Sequence, residues 1–245
     1  MTNNSPDYVI QRPGASRIQT AVMRYRNRLR RRRAEMLLRE FSLNETTRIL
    51  DLGGWNGAHI HAILQGCTVT PSNVFVADID AMAVRQASER HGYTPVVIPD
   101  AGPLPFGDAH FDVVFCSSVI EHVTIPKSQV WNMVCGREFR NIAQVRQAEF
   151  AAEIRRIGKG YFVQAPYRWS LIESHSWLPL VGYLPRPIQM AVLRFTNRFW
   201  IKQTTPDFYL PDEREMKAYF PDGRIVRERM LGFTKSLVVI RSNRQ

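Results

Sequence analysis

Ile49-Leu-Asp-Leu-Gly-Gly-Trp-Asn-Gly57 decides how this chain is read. Apolar residues around a single acid, followed at once by glycines, read as a short buried strand running into a tight turn. Residues 58–64 then read as a helix, so the glycines stand where a strand hands over to a helix. Glycine at such a place permits the turn, lets backbone approach a ligand closely and leaves the helix N-terminus open. Working outward, residues 74–79, 95–98, 111–117 and 160–165 read as further strands. The fourth of these five, with Phe, Val, Val and Phe, is too apolar to be half exposed. Residues 81–91 read as a helix, and a helical stretch between residues 128 and 157 carries a break signal at Gly136. Strands alternating with helices imply a parallel sheet with right-handed crossovers. The tail differs: residues 224–230 and 236–241, joined by a short glycine-containing link, read as an antiparallel hairpin. The expected architecture is therefore α/β, a doubly wound, mostly parallel seven-stranded sheet with a C-terminal antiparallel hairpin.

Composition narrows the class. Of 245 residues, 44% are apolar and 22% charged, ordinary for a folded protein and incompatible with disorder, collagen or a disulfide-stapled miniprotein. Cys67, Cys116 and Cys135 show no Cys-x-x-Cys spacing and no Cys/His cluster, so structural zinc is not expected and a reducing compartment fits. Residues 1–35 are polar and arginine-rich rather than a secretory signal, and no run of about 20 apolar residues is present. The expected location is cytoplasmic, with peripheral membrane contact as a further option.

The net charge of +11 is unevenly spread. Residues 1–48 carry 11 basic against 4 acidic groups, residues 49–185 carry 10 against 12, and residues 186–245 carry 12 against 6. Ile18, Val22, Tyr25, Leu29, Met36, Leu37 and Phe41 recur at helical spacing among Arg24, Arg26, Arg28 and Arg30 to Arg33. Two readings of this basic amphipathic helix stay open. It packs on the core with a solvated face, or it docks on phosphate groups of nucleic acid or anionic lipid.

No repeat or low-complexity linker divides the chain, so one domain is expected. Its parts are a basic helical extension (1–46), a ligand-binding core (47–165), an insertion (166–211) and a last helix with the terminal hairpin (212–245). The insertion crowds Trp169, Trp177, Leu178, Leu180, Val181, Tyr183 and Leu184, and continues as an amphipathic segment, 188–200, with Arg194 and Arg198. It reads as a lid over the carboxyl edge of the sheet or as an interfacial surface, with an ordinary packed cap as the alternative.

Three acids fall at successive strand ends. Asp51 is in the first strand, Asp78 closes the second about 21 residues after the turn, and Asp100 follows the third. Open parallel sheets bind ligands outside their carboxyl ends, and an acid at the second strand end accepts hydrogen bonds from a ribose diol. Aspartate also favours such positions simply as a turn former.

Residues 49–57, Val76-Ala-Asp-Ile-Asp80 and residues 104–123 (LPFGDAHFDVVFCSSVIEHV) together resemble the class I S-adenosylmethionine-dependent methyltransferases, in particular the type 11-like branch. The motifs span residues 47–166, and the terminal hairpin agrees. The resemblance implies a Rossmann-like fold and S-adenosylmethionine as cofactor. By position it implies that Asp51, Gly53, Gly54 and Gly57 hold the methionine part, Asp78 the ribose, and Asp100 with the backbone of Ala101 the adenine, with Ser117 completing the set. The family's usual middle glycine is Trp55 here, Gly54 standing just before it.

Methyl transfer needs orientation, and a base only where the nucleophile must lose a proton. Glu121 and His122 after the fourth strand, and Glu173 and His175 after the fifth, are the candidate catalytic residues. The latter pair resembles a Glu-x-His-x-x-x-Pro feature of some bacterial members. Some relatives bind a divalent metal through Glu-x-x-Glu-His; Ser118 replaces the first Glu, so no metal is expected. The leading expectation is a methyltransferase acting on a small-molecule or glycan acceptor, one that is lipid-linked included. An RNA-directed methyltransferase using the basic termini and a non-catalytic binding protein on the same fold are the alternatives. The Asn/Asp-Pro-Pro-Tyr/Phe motif of adenine-N6 enzymes and the Pro-Cys nucleophile of cytosine-C5 enzymes are both missing. Oligomeric state stays open.

Overall fold

The computed structural model describes residues 16–170, 173, 175–200, 202–230 and 232–242. Seven strands form one sheet: β1 (Ile49–Leu52), β2 (Val74–Asp78), β3 (Thr94–Val97), β4 (Val113–Ser117), β5 (Tyr161–Pro166), β6 (Arg224–Met230) and β7 (Phe233–Arg241). Their order is β3-β2-β1-β4-β5-β7-β6. The first five run parallel, and β7 inserts antiparallel between β5 and β6. The expected doubly wound sheet with its terminal hairpin is what forms.

Helices cover both faces. On one lie α1 (Ser16–Glu40), α2 (Ala58–Leu64) and α3 (Ala81–His91); on the other lie α4 (Gly136–Ile157) and α6 (Glu213–Tyr219). Side-chain alternation along the strands divides the core accordingly. Ile49, Val74, Val76, Val113, Phe115, Phe162 and Val238 face α1 to α3, while Leu50, Leu52, Val114, Cys116, Val163, Leu237 and Val239 face α4 and α6. The central strands are buried on both faces, as a parallel sheet between two helical layers must be. α4 begins at Gly136, and residues 127–132 form turns, so the break signal marks a helix start.

The packing of α1 favours the first reading of the basic helix. Leu29, Leu37 and Phe41 are buried, and Leu37 and Phe41 join the core under β1 and β4. Ile18, Val22 and Tyr25 lie outside the residues whose side chains are described, as do residues 1–15 altogether. Arg33 departs from the charged face. It is buried and makes two hydrogen bonds to Glu228 of β6, at 2.8 and 2.7 Å. The Ser117 and Ser236 hydroxyls lie 3.5 Å from the same guanidinium. One arginine of the basic run thus fastens α1 to the terminal hairpin.

The insertion builds a small core of its own from Leu178, Val181, Leu193, Phe208 and Leu210, with α5 (Arg186–Thr196) lying along it. Arg186 is buried and donates to the carbonyls of Met133, Pro206 and Val130, at 2.7, 3.2 and 3.1 Å. Its guanidinium also lies 3.4 Å from the Phe139 ring centre. Arg186→Ala would leave these carbonyls without their donor inside the protein, at a cost of about 2–4 kcal/mol. A melting temperature lowered by roughly 5–15 °C in calorimetry is the expected outcome.

Candidate active site

The carboxyl edge of the sheet is shaped first by the turn after β1. Gly53 adopts φ +72°, and a Cβ there would lie 2.4 Å from Val119 of the loop after β4. A Cβ on Gly54 would lie 2.2 Å from Asp51 Oδ2. Neither position has room for a side chain, so backbone alone lines the cleft at this point. Gly57, at φ +72°, turns the chain into α2. Trp55 holds φ +50°, a conformation glycine takes freely and tryptophan does not, which costs about 1–2 kcal/mol. Its backbone N–H donates to Asp78 Oδ2 at 3.0 Å, so the substitution for the family glycine leaves the turn's link to β2 intact.

Asp51 is buried, and its Oδ2 has no hydrogen-bond partner. Burial, and then the charge of Asp78, push its pKa up to about 8. An orphaned carboxyl under a glycine turn fits a site that receives a cationic group. Asp78 is half-buried; Oδ1 accepts from the Asp80 N–H at 3.1 Å and Oδ2 from Trp55, and each oxygen keeps a lone pair for a diol. Asp100 and Ala101 are exposed on the rim, where Asp100 pairs with Arg146 at 3.6 Å and its carbonyl accepts from the same guanidinium at 2.9 Å. Ser117 donates to Gln164 Oε1 at 2.8 Å and lies toward Arg33, which makes its hydroxyl part of the α1–β4–β5 connection.

Beyond Val119, the four candidate catalytic residues come together although two belong to the far insertion. Glu121 sits fully buried in a single helical turn, residues 120–122, and neither of its oxygens has a hydrogen-bond partner. His175 Nε2 lies 3.6 Å from Glu121 Oε1, while its Nδ1 is 2.7 Å from Glu173 Oε1. Glu173 also accepts from the Ser176 N–H at 2.6 Å and hydroxyl at 2.7 Å. Burial opposes charge on this pair, but the two groups outweigh it by stabilising each other, holding Glu173 below the usual carboxylate range and His175 above the usual imidazole range. His122 is more open; its Nδ1 is 3.4 Å from Asp207 Oδ1. Its ring stands edge-on to that of His175, centres 4.7 Å apart.

Sequence reasoning missed Asp207. It is buried and follows a proline in an irregular segment, with no motif to mark it. The segment is held to the β4 loop by the Thr124 hydroxyl donating to the Asp207 carbonyl at 2.6 Å and by the Tyr209 N–H donating to the Glu121 carbonyl at 2.8 Å. These contacts bring the end of the insertion against the carboxyl edge.

A family model described as a methyltransferase domain matches residues 50–135, the span holding the glycine turn, Asp78, Asp100 and Glu121. Among solved structures, the PH0226 protein of Pyrococcus horikoshii OT3 is similar with a TM-score of 0.53 at 14% identity, covering 89% of this chain and 90% of that one. Magnesium protoporphyrin IX methyltransferase of Synechocystis PCC 6803 with SAM bound gives 0.51 at 13% identity over 96% and 88% of the two chains. A putative methyltransferase of Haloferax volcanii, in complex with the Trm112 activator, gives 0.50 at 13% identity over 84% and 87%. A search of curated proteins found no match. At these identities the structural likeness speaks for the fold, and the family match for the core. The chain thus has the Rossmann-like fold that the solved methyltransferases share, and its residues 50–135 match a methyltransferase domain.

Proposed function

We propose that the chain is a single-domain methyltransferase that modifies a small-molecule or glycan acceptor, with residues 166–211 on the acceptor side. The observation that carries this is the buried, unpartnered Asp51 carboxyl beneath a glycine turn too tight for any side chain, one short loop away from the Glu121–His122–His175 cluster. S-adenosylmethionine supplies a methyl group on a sulfonium, open to in-line displacement. Asp51 and the Gly53–Gly54 backbone would hold its methionine end, Gly57 would complete the turn, and Asp78 would hold the ribose diol. Asp100 and Ala101 would border the adenine, with Ser117 fixing the β4 edge beside it. Glu121, His122, His175 and Glu173 would orient the acceptor, and Glu121 or His122 would receive its proton.

Two features bear on the acceptor. The insertion exposes Leu180, Ile188, Phe195 and Phe199 beside the exposed Arg194 and Arg198, which suits an acceptor carried on a lipid and a protein working at the surface of a membrane from the cytoplasm. Among the described residues no helix is long and apolar enough to cross one. The RNA-directed alternative draws on α1, but Arg33 is spent on Glu228 and Arg31 lies 3.6 Å from Glu35, which leaves it the weaker reading.

The test is transfer of labelled methyl from S-adenosylmethionine into lipid-linked glycans, soluble glycans and RNA, each at low and high salt. Label in a glycan, little changed by salt, is the expected result. Label in RNA that falls steeply with salt would overturn it.

The protonated state of Asp51 adds a pH prediction. With its pKa near 8 before binding, a cationic ligand must displace a proton, so affinity rises with pH up to about 8, by at most tenfold per unit. Calorimetry in buffers of different ionisation enthalpy should record this proton release, and Asp51→Asn should abolish it.

A further inference from the structure

We propose that Glu121, His122 and His175 form a binding site for a divalent transition-metal ion, such as zinc, cobalt, iron or manganese. One potential ligand atom from each lies within 4.8 Å of the others. Ligands about 2.0–2.1 Å from a common ion stand roughly 3–4 Å apart, so a small inward movement completes the set. The Glu121–His175 pair, at 3.6 Å, already has that spacing.

Two independent features point the same way. The first is Glu121, fully buried with neither oxygen hydrogen-bonded. A buried carboxylate without a hydrogen bond is costly, and His175, whose Nε2 lies 3.6 Å away, already has its other nitrogen on Glu173. The second is orientation. Each histidine has Nδ1 against a buried carboxylate, Glu173 at 2.7 Å and Asp207 at 3.4 Å. This fixes the rings and leaves Nε2 as the ligand atom, the arrangement that outer carboxylates impose on metal-bound histidines. Two nitrogens and one carboxylate favour a transition ion over magnesium or calcium, which prefer oxygen throughout.

His122 is partly exposed, with 36% of its side chain open, so further coordination positions would face the cleft. An acceptor hydroxyl bound there would lose its proton more readily, the proton passing to bulk water. This use of the ion rests on the methyl-transfer reading; the site itself does not. Sequence spacing argued against a metal because Ser118 replaces a carboxylate. The Ser118 hydroxyl is indeed turned to Gln164, at 3.0 Å, and the third ligand comes instead from His175 in the insertion.

The test is titration of the full chain with Co²⁺ alone, followed by visible absorption, in a Cys67→Ser/Cys135→Ser background that removes the accessible thiols. One ion per chain, displaced by Zn²⁺, is expected. Glu121→Gln and His175→Ala should each weaken it at least 100-fold, and Glu173→Gln, acting through His175, by about 10–100-fold. His122→Ala, at an open position that the fold tolerates, should also weaken it at least 100-fold. No cobalt binding by folded protein, or binding indifferent to His122→Ala, would overturn the proposal and leave Glu121, His175 and Glu173 as an ion triad. Asp78→Ala should keep cobalt while losing S-adenosylmethionine, so the ion site and the cofactor site fail separately.

Discussion

Replacing Asp78 by alanine should weaken S-adenosylmethionine binding at least 100-fold while leaving the protein folded. Two hydrogen bonds from a ribose diol to a carboxylate are worth about 3–6 kcal/mol together, which spans that factor and more. Asp78 also organises its surroundings, because its oxygens accept from the N–H groups of Trp55 and Asp80. Losing them frees the glycine turn from the end of β2, and Trp55 then has less to hold it in its left-handed conformation. The fold should survive, since Asp78 is half-buried at a strand end and the core beneath it is apolar. A second effect follows from charge. Asp78 is one cause of the raised Asp51 pKa, so in the variant Asp51 should titrate lower and the pH dependence of any residual binding should move down. Calorimetric titration of the variant between pH 6 and 8.5 reads both effects.

Arg33→Ala should be the most destabilising alanine change among the arginines of α1, by about 3–5 kcal/mol, because it leaves the Glu228 carboxylate buried without its partner. For a chain of this size that lowers the melting temperature by roughly 6–20 °C. Neighbouring arginines provide the contrast: Arg28, Arg31 and Arg32 are exposed, and alanine at any of them should change stability by less than about 0.5 kcal/mol. The double variant Arg33→Met/Glu228→Met should recover most of the loss, since an apolar pair of similar volume replaces a buried ion pair at little cost. If Arg33→Ala melts with the wild type, α1 is not fastened to the hairpin by this pair.

The parts of this molecule that were legible in its sequence are those fixed by neighbours in the chain. Residues 49–57 carry strand, turn and helix start in one short stretch, and 58–64 and 81–91 form helices at the bounds their periodicity gives. The acids at Asp51 and Asp78 were visible because strand ends are local signals. Arg33 was not, since a run of arginines looks uniformly solvated until a partner 195 residues away singles one out. Asp207 was hidden for the same reason, as it acquires meaning only when the insertion folds back on the loop after β4. His175 likewise meets Glu121 and His122 only once the insertion folds back. Pairwise contacts between remote segments are set by tertiary packing, and a single sequence carries no local mark of them.

If the glycine turn, Asp51 and Asp78 form a working S-adenosylmethionine site, calorimetric titration of the chain with S-adenosylmethionine should give a single site of micromolar affinity that tightens as pH rises toward 8. Folded protein that takes up no S-adenosylmethionine at any pH in that range would contradict it.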